Sequence, residues 1–193
     1  MVSTTPSRSQ PDFRLLLDQG FPKPTGFVIT GLDQSVEVSH LSDFAPDLAQ
    51  QSTPDWYVYC AAAEGGFNAL VVRDRSQLDQ LAEMYVLSRL PKLSIVTWRK
   101  GIDDPVREWG QLLAYLPDVK RRCLEKGGRV VLLPTPTLTA DSFYQPADTL
   151  GRESKDRKVS ARQVRSEARA EIEDWLGLSG QPLDRFDRLL RHR

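Results

Sequence analysis

The 193-residue sequence has few of the residues that mark disulfide-bonded, zinc-binding or strongly charged proteins. Its two cysteines, Cys60 and Cys123, have neither the spacing of a zinc site nor that of a redox CxxC motif, so we expect two buried thiols. The two histidines, His40 and His192, lack partners at the spacing of a zinc site or a catalytic triad. Because 26 basic residues balance 26 acidic ones, any attraction to a nucleic acid or a membrane must be local.

Long apolar runs and nucleotide-binding loops are absent as well. No apolar segment approaches the roughly 20 residues of a membrane-spanning helix, and the N-terminal sequence MVSTTPSRSQPD lacks the apolar stretch of a signal peptide. Neither GxxxxGK(S/T) nor GxGxxG occurs, which argues against the common phosphate-binding loops. We therefore expect a soluble, cytoplasmic protein that contacts no membrane.

Short apolar segments that alternate with helical patterns are the main feature of the sequence. Thr53-Pro54-Asp55 has the residues typical of a helix start, and Gly65-Gly66 has those of a helix end. Buried strands that alternate with helices favour an α/β fold with a parallel sheet covered on both faces. We predict strands at 13–18, 36–41, 69–72, 93–98 and 129–133. We predict one helix at 56–64, a second that begins after a cap at Ser76, and a third at 106–126 with a kink or break at Pro117.

Composition divides the chain into three parts. Residues 1–11 are rich in Ser, Thr, Pro and Gln and are expected to be disordered, whereas 12–139 form the α/β domain. Residues 140–193 add a polar linker and basic C-terminal helices, the first of them at 161–176. The apolar side chains of this helix form one stripe that either the domain or a second protein must cover: Val164, Ala168, Ile172, Trp175 and Leu176.

Three aspartates are expected at one edge of the predicted sheet. Asp18 and Asp74 end apolar strands, and Asp55 opens a helix after another strand. Ligands of open parallel sheets bind at the carboxyl ends of the strands. Converging carboxylates cannot all stay ionised unless a cation lies among them, and such oxygen ligands suit Mg²⁺ or Mn²⁺. Asp55 is more typical of a helix start and Asp74 equally typical of a turn, whereas Asp18 ends an apolar strand where an uncompensated charge is costly, so only their coincidence indicates a metal site.

Three segments resemble the PIN-like nucleases of the Mut7-C and VapC-type toxin group in order and spacing: FRLLLDQGFP, VEVSHL and TPDWYVYCAAAEGGFNALVVRDRSQL. The resemblance implies a PIN-like three-layer sandwich with a short central parallel sheet. It also implies an Mg²⁺- or Mn²⁺-dependent endoribonuclease, the toxin of a toxin–antitoxin system, with Asp18, Asp55 and Asp74 as catalytic metal ligands. The implied partners are an RNA substrate, an antitoxin protein and a second copy in a homodimer.

Basic residues supply candidate contacts to RNA. Arg73 and Arg75 flank Asp74, and we expect them to bind the substrate phosphate. The stretch 152–169 is rich in lysine and arginine, which favours phosphate binding but is equally typical of a solvated helix.

The sequence departs from the family pattern at one acid. Ser76 stands where the second acid of a TRDRDF-like strand end is expected, and Asp79 lies about one helical turn further on. This departure leaves open an alternative function, a catalytically weakened PIN-like module that acts as a protein- or RNA-binding domain. A small-ligand or phosphoacceptor domain of flavodoxin-like topology is a third hypothesis, ranked last because no glycine-rich phosphate loop follows the first strand.

Overall fold

One sheet forms the centre of the molecule, and the computed structural model describes it within residues 11–49, 53–99, 105–133 and 143–180. Its described strands are β1 (Phe13–Leu17), β2 (Val36–His40), β3 (Ala69–Val71), β4 (Ser94–Trp98), β5 (Val130–Leu133) and β6 (Phe143–Tyr144). They lie in the order β2-β1-β3-β4-β5-β6. Strands β1 to β5 are parallel, whereas β6 is antiparallel to β5. The predicted α/β class and its five parallel strands are confirmed.

Helices cover both faces of this sheet, as predicted. Because successive strand residues point to opposite faces, Leu16 packs in one core while Leu15 and Leu17 pack in the other. The described helices are α1 (Thr25–Leu32), α2 (Leu41–Phe44), α3 (Asp55–Glu64), α4 (Leu81–Leu87), α5 (Pro105–Glu125), α6 (Pro146–Asp156) and α7 (Ala161–Ser179). Helices α3, α4 and α7 contribute to the first core, and α1 and α5 to the second. This arrangement is compatible with a three-layer sandwich.

Helix α5 continues through Pro117, where we predicted a kink or a break. The proline is exposed, while four side chains on the other side of the helix are buried against the sheet: Leu112, Leu116, Val119 and Cys123. This burial holds the helix together although proline removes one of its hydrogen bonds. Within the described ranges, no helix combines the length and the apolar character needed to cross a membrane.

The segment after β3 differs from the single helix that we predicted there. Residues Ser76–Asp79 form a 3-10 turn, and the extended backbone of Gln80 separates it from α4. Ser76 is not the cap of this turn. Instead the carboxylate of Asp74 accepts bonds from the backbone N–H and the hydroxyl of Ser76, both at 2.8 Å.

The chain after residue 139 contains more secondary structure than its polar composition predicts. Strand β6 and helix α6 lie in the stretch 141–158 that we predicted to be a polar linker. Leu150 of α6 is only 1% exposed and belongs to the core that α3 and α4 share, so Leu150 and the buried Pro146 dock an otherwise polar helix.

Helix α7 confirms the predicted apolar stripe. The domain itself covers this stripe, because the buried residues of α7 pack in the core with those of α3 and α4. The domain boundary at residue 139 stays a prediction. Residues 1–10 of the stretch 1–11 that we expected to be disordered, and residues 181–193 at the end of the predicted basic segment, lie outside the described residues. The four stripe residues that are at most 1% exposed are Val164, Ala168, Ile172 and Leu176.

We expect Ile172→Ala to lower the free energy of unfolding by about 2–5 kcal/mol, because it leaves a cavity in the shared core. Leu178→Ala is the matched control on the same helix, since Leu178 is 90% exposed. Chemical denaturation of the two full-length variants measures both effects. Equal, small losses would contradict the docking of α7 on the domain.

Candidate functional site

The sheet changes direction at β1. The chain moves from β1 outward to β2 on one side, and β3 then pairs with β1 on the other side. Such a point opens a crevice at the carboxyl ends of the two inner strands, where open α/β sheets bind ligands. Asp18 follows β1 directly, and its backbone N–H donates to the carbonyl of Val71 in β3 at 3.1 Å. This bond extends the sheet by one residue and places Asp18 at the crevice.

Asp18 is a half-buried carboxylate with little solvation. The backbone N–H of Gln19 donates to its Oδ1 at 2.7 Å. Burial nevertheless raises the pKa of Asp18, and this effect exceeds the lowering by the Gln19 bond and by nearby His40. A bound cation would stabilise the ionised form.

Asp55 is the first residue of α3, where the positive end of the helix dipole favours an acid. Burial nonetheless raises the pKa of Asp55 to about 6, with repulsion from Asp18 and Asp74 adding to the effect. Asp18 and Asp74 are therefore close enough to Asp55 to interact with it electrostatically. The sequence analysis predicted that these three aspartates lie at one edge of the sheet.

Glu83 is the candidate residue that the sequence analysis missed. It lies in the first turn of α4, is only 3% exposed, and its Oε2 has no hydrogen-bond partner. Burial, together with repulsion from Asp55 and Glu171, raises the pKa of Glu83 to about 7. The available signal was an acid inside the apolar segment LAEMYVL, because a buried charge is unfavourable unless something pairs with it.

These carboxylates line a cleft of about 300 Å³, which we call the acidic cleft. Asp18, Asp55 and Glu83 contribute from the domain, and Glu171 and Trp175 contribute from α7. Within the described part of the chain, no lysine, arginine or histidine lines it, so its electrostatic potential is negative. The other lining residues are Gln19, Leu41, Leu48, Thr53, Pro54, Trp56, Val58 and Gln80.

The other predicted site residues lie outside the lining of the acidic cleft. Asp74 is exposed and bonds to Ser76, so it acts on Asp55 through its charge. Arg73 donates from Nε to the buried carboxylate of Glu108 at 2.6 Å. Arg75 donates from Nη1 to the carbonyl of Arg99 at 2.7 Å. Both predicted phosphate-binding arginines therefore already have protein partners.

The basic residues of α7 do not face the acidic cleft. Residues four apart share one flank of a helix, which puts Glu171 and Trp175 together on the cleft side. Arg165 and Arg169 lie on another flank, where Arg169 donates to Glu173 at 2.6 Å. The flank of α7 at the cleft is thus acidic and aromatic.

The side chains of the acidic cleft carry the type of oxygen ligand that a divalent cation prefers. Carboxylate oxygens are preferred ligands of Mg²⁺ and Mn²⁺, and Oε2 of Glu83 is a buried acceptor without a partner. Across the described ranges, no three His, Cys, Asp or Glu side chains are close enough to hold one metal ion together. Mg²⁺ usually takes one or two carboxylates and keeps several waters, so a site of that kind needs only a pair.

The raised pKa values predict how stability depends on pH. Between about pH 4 and 7 the folded protein holds more protons on Asp55 and Glu83 than the unfolded chain does, so the contribution of these two groups to the free energy of unfolding falls as pH rises. Asp55→Asn and Glu83→Gln each remove one such group. We expect both variants to melt above the wild type at pH 8 in metal-free buffer, and to lose this advantage at pH 4.

Asp47→Asn is the control for these melting curves, because Asp47 is exposed and does not line the acidic cleft. Its difference from the wild type should be the same at both pH values. If Asp55→Asn and Glu83→Gln behaved like this control, burial and mutual repulsion would not raise the pKa values of these two carboxyl groups.

Comparisons with protein-family models, with curated proteins and with solved structures found no match to this chain.

Proposed function

We propose that the protein is a metal-dependent endoribonuclease that hydrolyses RNA phosphodiesters in the acidic cleft. The observation that carries the proposal is the carboxylate set at the β1/β3 crevice, which includes the buried Glu83 with an Oε2 that has no hydrogen-bond partner. Glu83 supplies the additional carboxylate that Ser76 does not. Asp79 does not take this role, since it is exposed on the 3-10 turn and does not line the cleft.

Each residue of the cleft has a distinct part in this proposal. A pair of the carboxylates of Asp18, Asp55 and Glu83 would hold Mg²⁺ or Mn²⁺ together with waters, the third would lie beside the ion, and Asp74 adds negative charge from outside the cleft. A bound cation would supply Lewis-acid chemistry, since it would polarise the phosphodiester, lower the pKa of water and offset the negative charges of substrate and cleft. Arg73 and Arg75 do not supply that positive charge, because their side chains bind Glu108 and the carbonyl of Arg99.

Protein partners are part of the proposal, as expected for the toxin of a toxin–antitoxin system in the cytoplasm. Helix α1 leaves apolar side chains exposed at the sheet edge beside β2, with Phe27 at 83%, Val28 at 44% and Leu32 at 71% exposure. Contiguous exposed apolar side chains of this kind are typical of protein–protein contact sites. This face supports an antitoxin or a second copy of the chain as a partner.

One observation favours the second candidate function, a catalytically weakened module that binds protein or RNA. Arg73 and Arg75 are held by Glu108 and by the Arg99 carbonyl, so no arginine of this pair is directed into the acidic cleft. A module of this kind would bind RNA or a protein without hydrolysis, which an activity measurement distinguishes.

The ribonuclease proposal predicts cleavage of RNA with Mg²⁺ or Mn²⁺ and none after EDTA. We expect Asp55→Asn and Glu83→Gln to lower kcat/KM by about 100-fold or more, because each removes a carboxylate that holds the cation or lies beside it. At cation concentrations below saturation, activity should rise between about pH 6 and 7, as Asp55 and Glu83 lose their protons and become able to bind the cation.

Asp79→Asn is the matched control, since it removes an exposed carboxylate near the same sheet edge but outside the cleft. This variant should cleave like the wild type. Cleavage that survives EDTA, or that Glu83→Gln leaves intact, would rule out the proposed site.

A further inference from the structure

We propose that Glu108 and Arg73 form a positioning pair, which holds the loop after β1 and thereby keeps Asp18 in place at the acidic cleft. The inference rests on the proposed function, because it assigns the pair to the support of the cation site. Neither residue lines the cleft, so the pair acts through the loop and not on the cation or the substrate. The proposal gives a role to an arginine that we expected to bind phosphate and to a buried acid outside the cleft.

Glu108 is a buried acid on the face of the sheet opposite the acidic cleft. It lies in the first turn of α5, which packs in the second core, and it is only 3% exposed. Its Oε2 accepts a bond of 2.6 Å from Nε of Arg73, so the buried charge has a partner of opposite sign. Separating such a pair is unfavourable, because it leaves the buried charge uncompensated. Glu108 therefore fixes where the Arg73 side chain lies.

Arg73 connects Glu108 to the loop after β1. While Nε of Arg73 bonds to Glu108, its Nη1 donates to the carbonyl of Gly20 at 3.3 Å. The planar guanidinium sets the angle between these two bonds. The Arg73 side chain also packs directly on Gly20, since a Cβ built at Gly20 would lie 3.1 Å from Cδ of Arg73. A glycine at this position thus permits the close approach of the arginine.

Gly20 and Asp18 belong to one short loop with internal hydrogen bonds. The N–H of Phe21 donates to the carbonyl of Asp18 at 3.0 Å, and the N–H of Gln19 donates to Oδ1 of Asp18 at 2.7 Å. A shift of Gly20 would therefore displace the two N–H groups that hold the carbonyl and the carboxylate of Asp18. Because Asp18 lines the cleft, the hold on Gly20 sets the position of one cleft carboxylate.

Amide hydrogen exchange, followed by NMR in metal-free buffer, tests the hold on the loop. The reporter is the N–H of Phe21, whose bond to Asp18 lasts only while the loop keeps this conformation. We expect Glu108→Ala to speed exchange at Phe21 about tenfold more than exchange at Ile172, because only the loop is loosened. Ile172 lies in the other core, so a general loss of stability would affect both amides alike.

Titration calorimetry with Mn²⁺ tests the effect on the cleft. We expect Glu108→Ala to raise the Kd for Mn²⁺ about tenfold, since groups that orient a metal ligand typically contribute about 10- to 100-fold to metal affinity. Glu108→Gln should recover most of this loss, because its amide oxygen still accepts from Arg73. Arg73→Lys keeps a positive charge beside Glu108 but lacks the planar fork, so it should fold and reproduce the loss.

Glu37→Ala is the matched control, because Glu37 belongs to a similar contact near the other end of β1. Its carboxylate accepts bonds of 3.1 and 3.0 Å from Arg14, which also donates to the carbonyl of Gly65. Arg14 is the second residue of β1, whereas the loop follows the last residue of this strand. The control should match the wild type in exchange at Phe21 and in Mn²⁺ affinity. Melting curves check that every variant is folded.

The outcomes separate this inference from the proposed function. If either exchange at Phe21 or Mn²⁺ affinity matches the wild type in folded Glu108→Ala or Arg73→Lys, the positioning pair is overturned, even where RNA is cleaved. Faster exchange and weaker Mn²⁺ binding in these variants, in a protein that never cleaves RNA, would retain the pair and overturn the ribonuclease. A folded wild type that binds no Mn²⁺ would overturn both.

Discussion

Repulsion among carboxylates that the fold holds together is the interaction on which the rest of the site depends. Asp18, Asp55 and Glu83 line one small cleft, and burial raises the pKa of each. Bound protons or a bound cation relieve this repulsion, and strongly shifted pKa values in a cleft are typical of functional sites. The position of the cleft follows from the sheet, because the change of direction at β1 opens a crevice at the strand ends.

Helix α7 completes the site as well as the core. Its buried stripe docks it beside α3 and α4, and its neighbouring flank then presents Glu171 and Trp175 to the cleft. The strand order alone does not define the function, since flavodoxin-like sheets share the 2-1-3-4-5 order and one topology supports many activities. The chemistry of the cleft separates the hypotheses, because carboxylates in a cleft whose described lining contains no basic side chain suit a cation.

Short-range apolar patterns in the sequence predicted the strands and helices whose buried residues follow a regular spacing. The strand before Asp18 is a continuous apolar run, and the stripe of α7 repeats every four residues, so the sequence predicted both. Helix α6 was not predicted because only two of its residues, Pro146 and Leu150, are buried. The engagement of Arg73 by Glu108 could not be predicted, since the two residues are 35 positions apart and meet only through the fold. Glu83 was missed for the same reason, because its burial depends on packing against distant elements.

Anomalous X-ray diffraction from crystals soaked in Mn²⁺ tests the central claim most directly. The predicted result is a manganese peak inside the acidic cleft, bonded to oxygens of the set Asp18, Asp55 and Glu83 and absent in the Asp55→Asn variant. A cleft without any manganese peak at saturating Mn²⁺, in crystals of the folded wild-type protein, would contradict a metal-dependent function for this site.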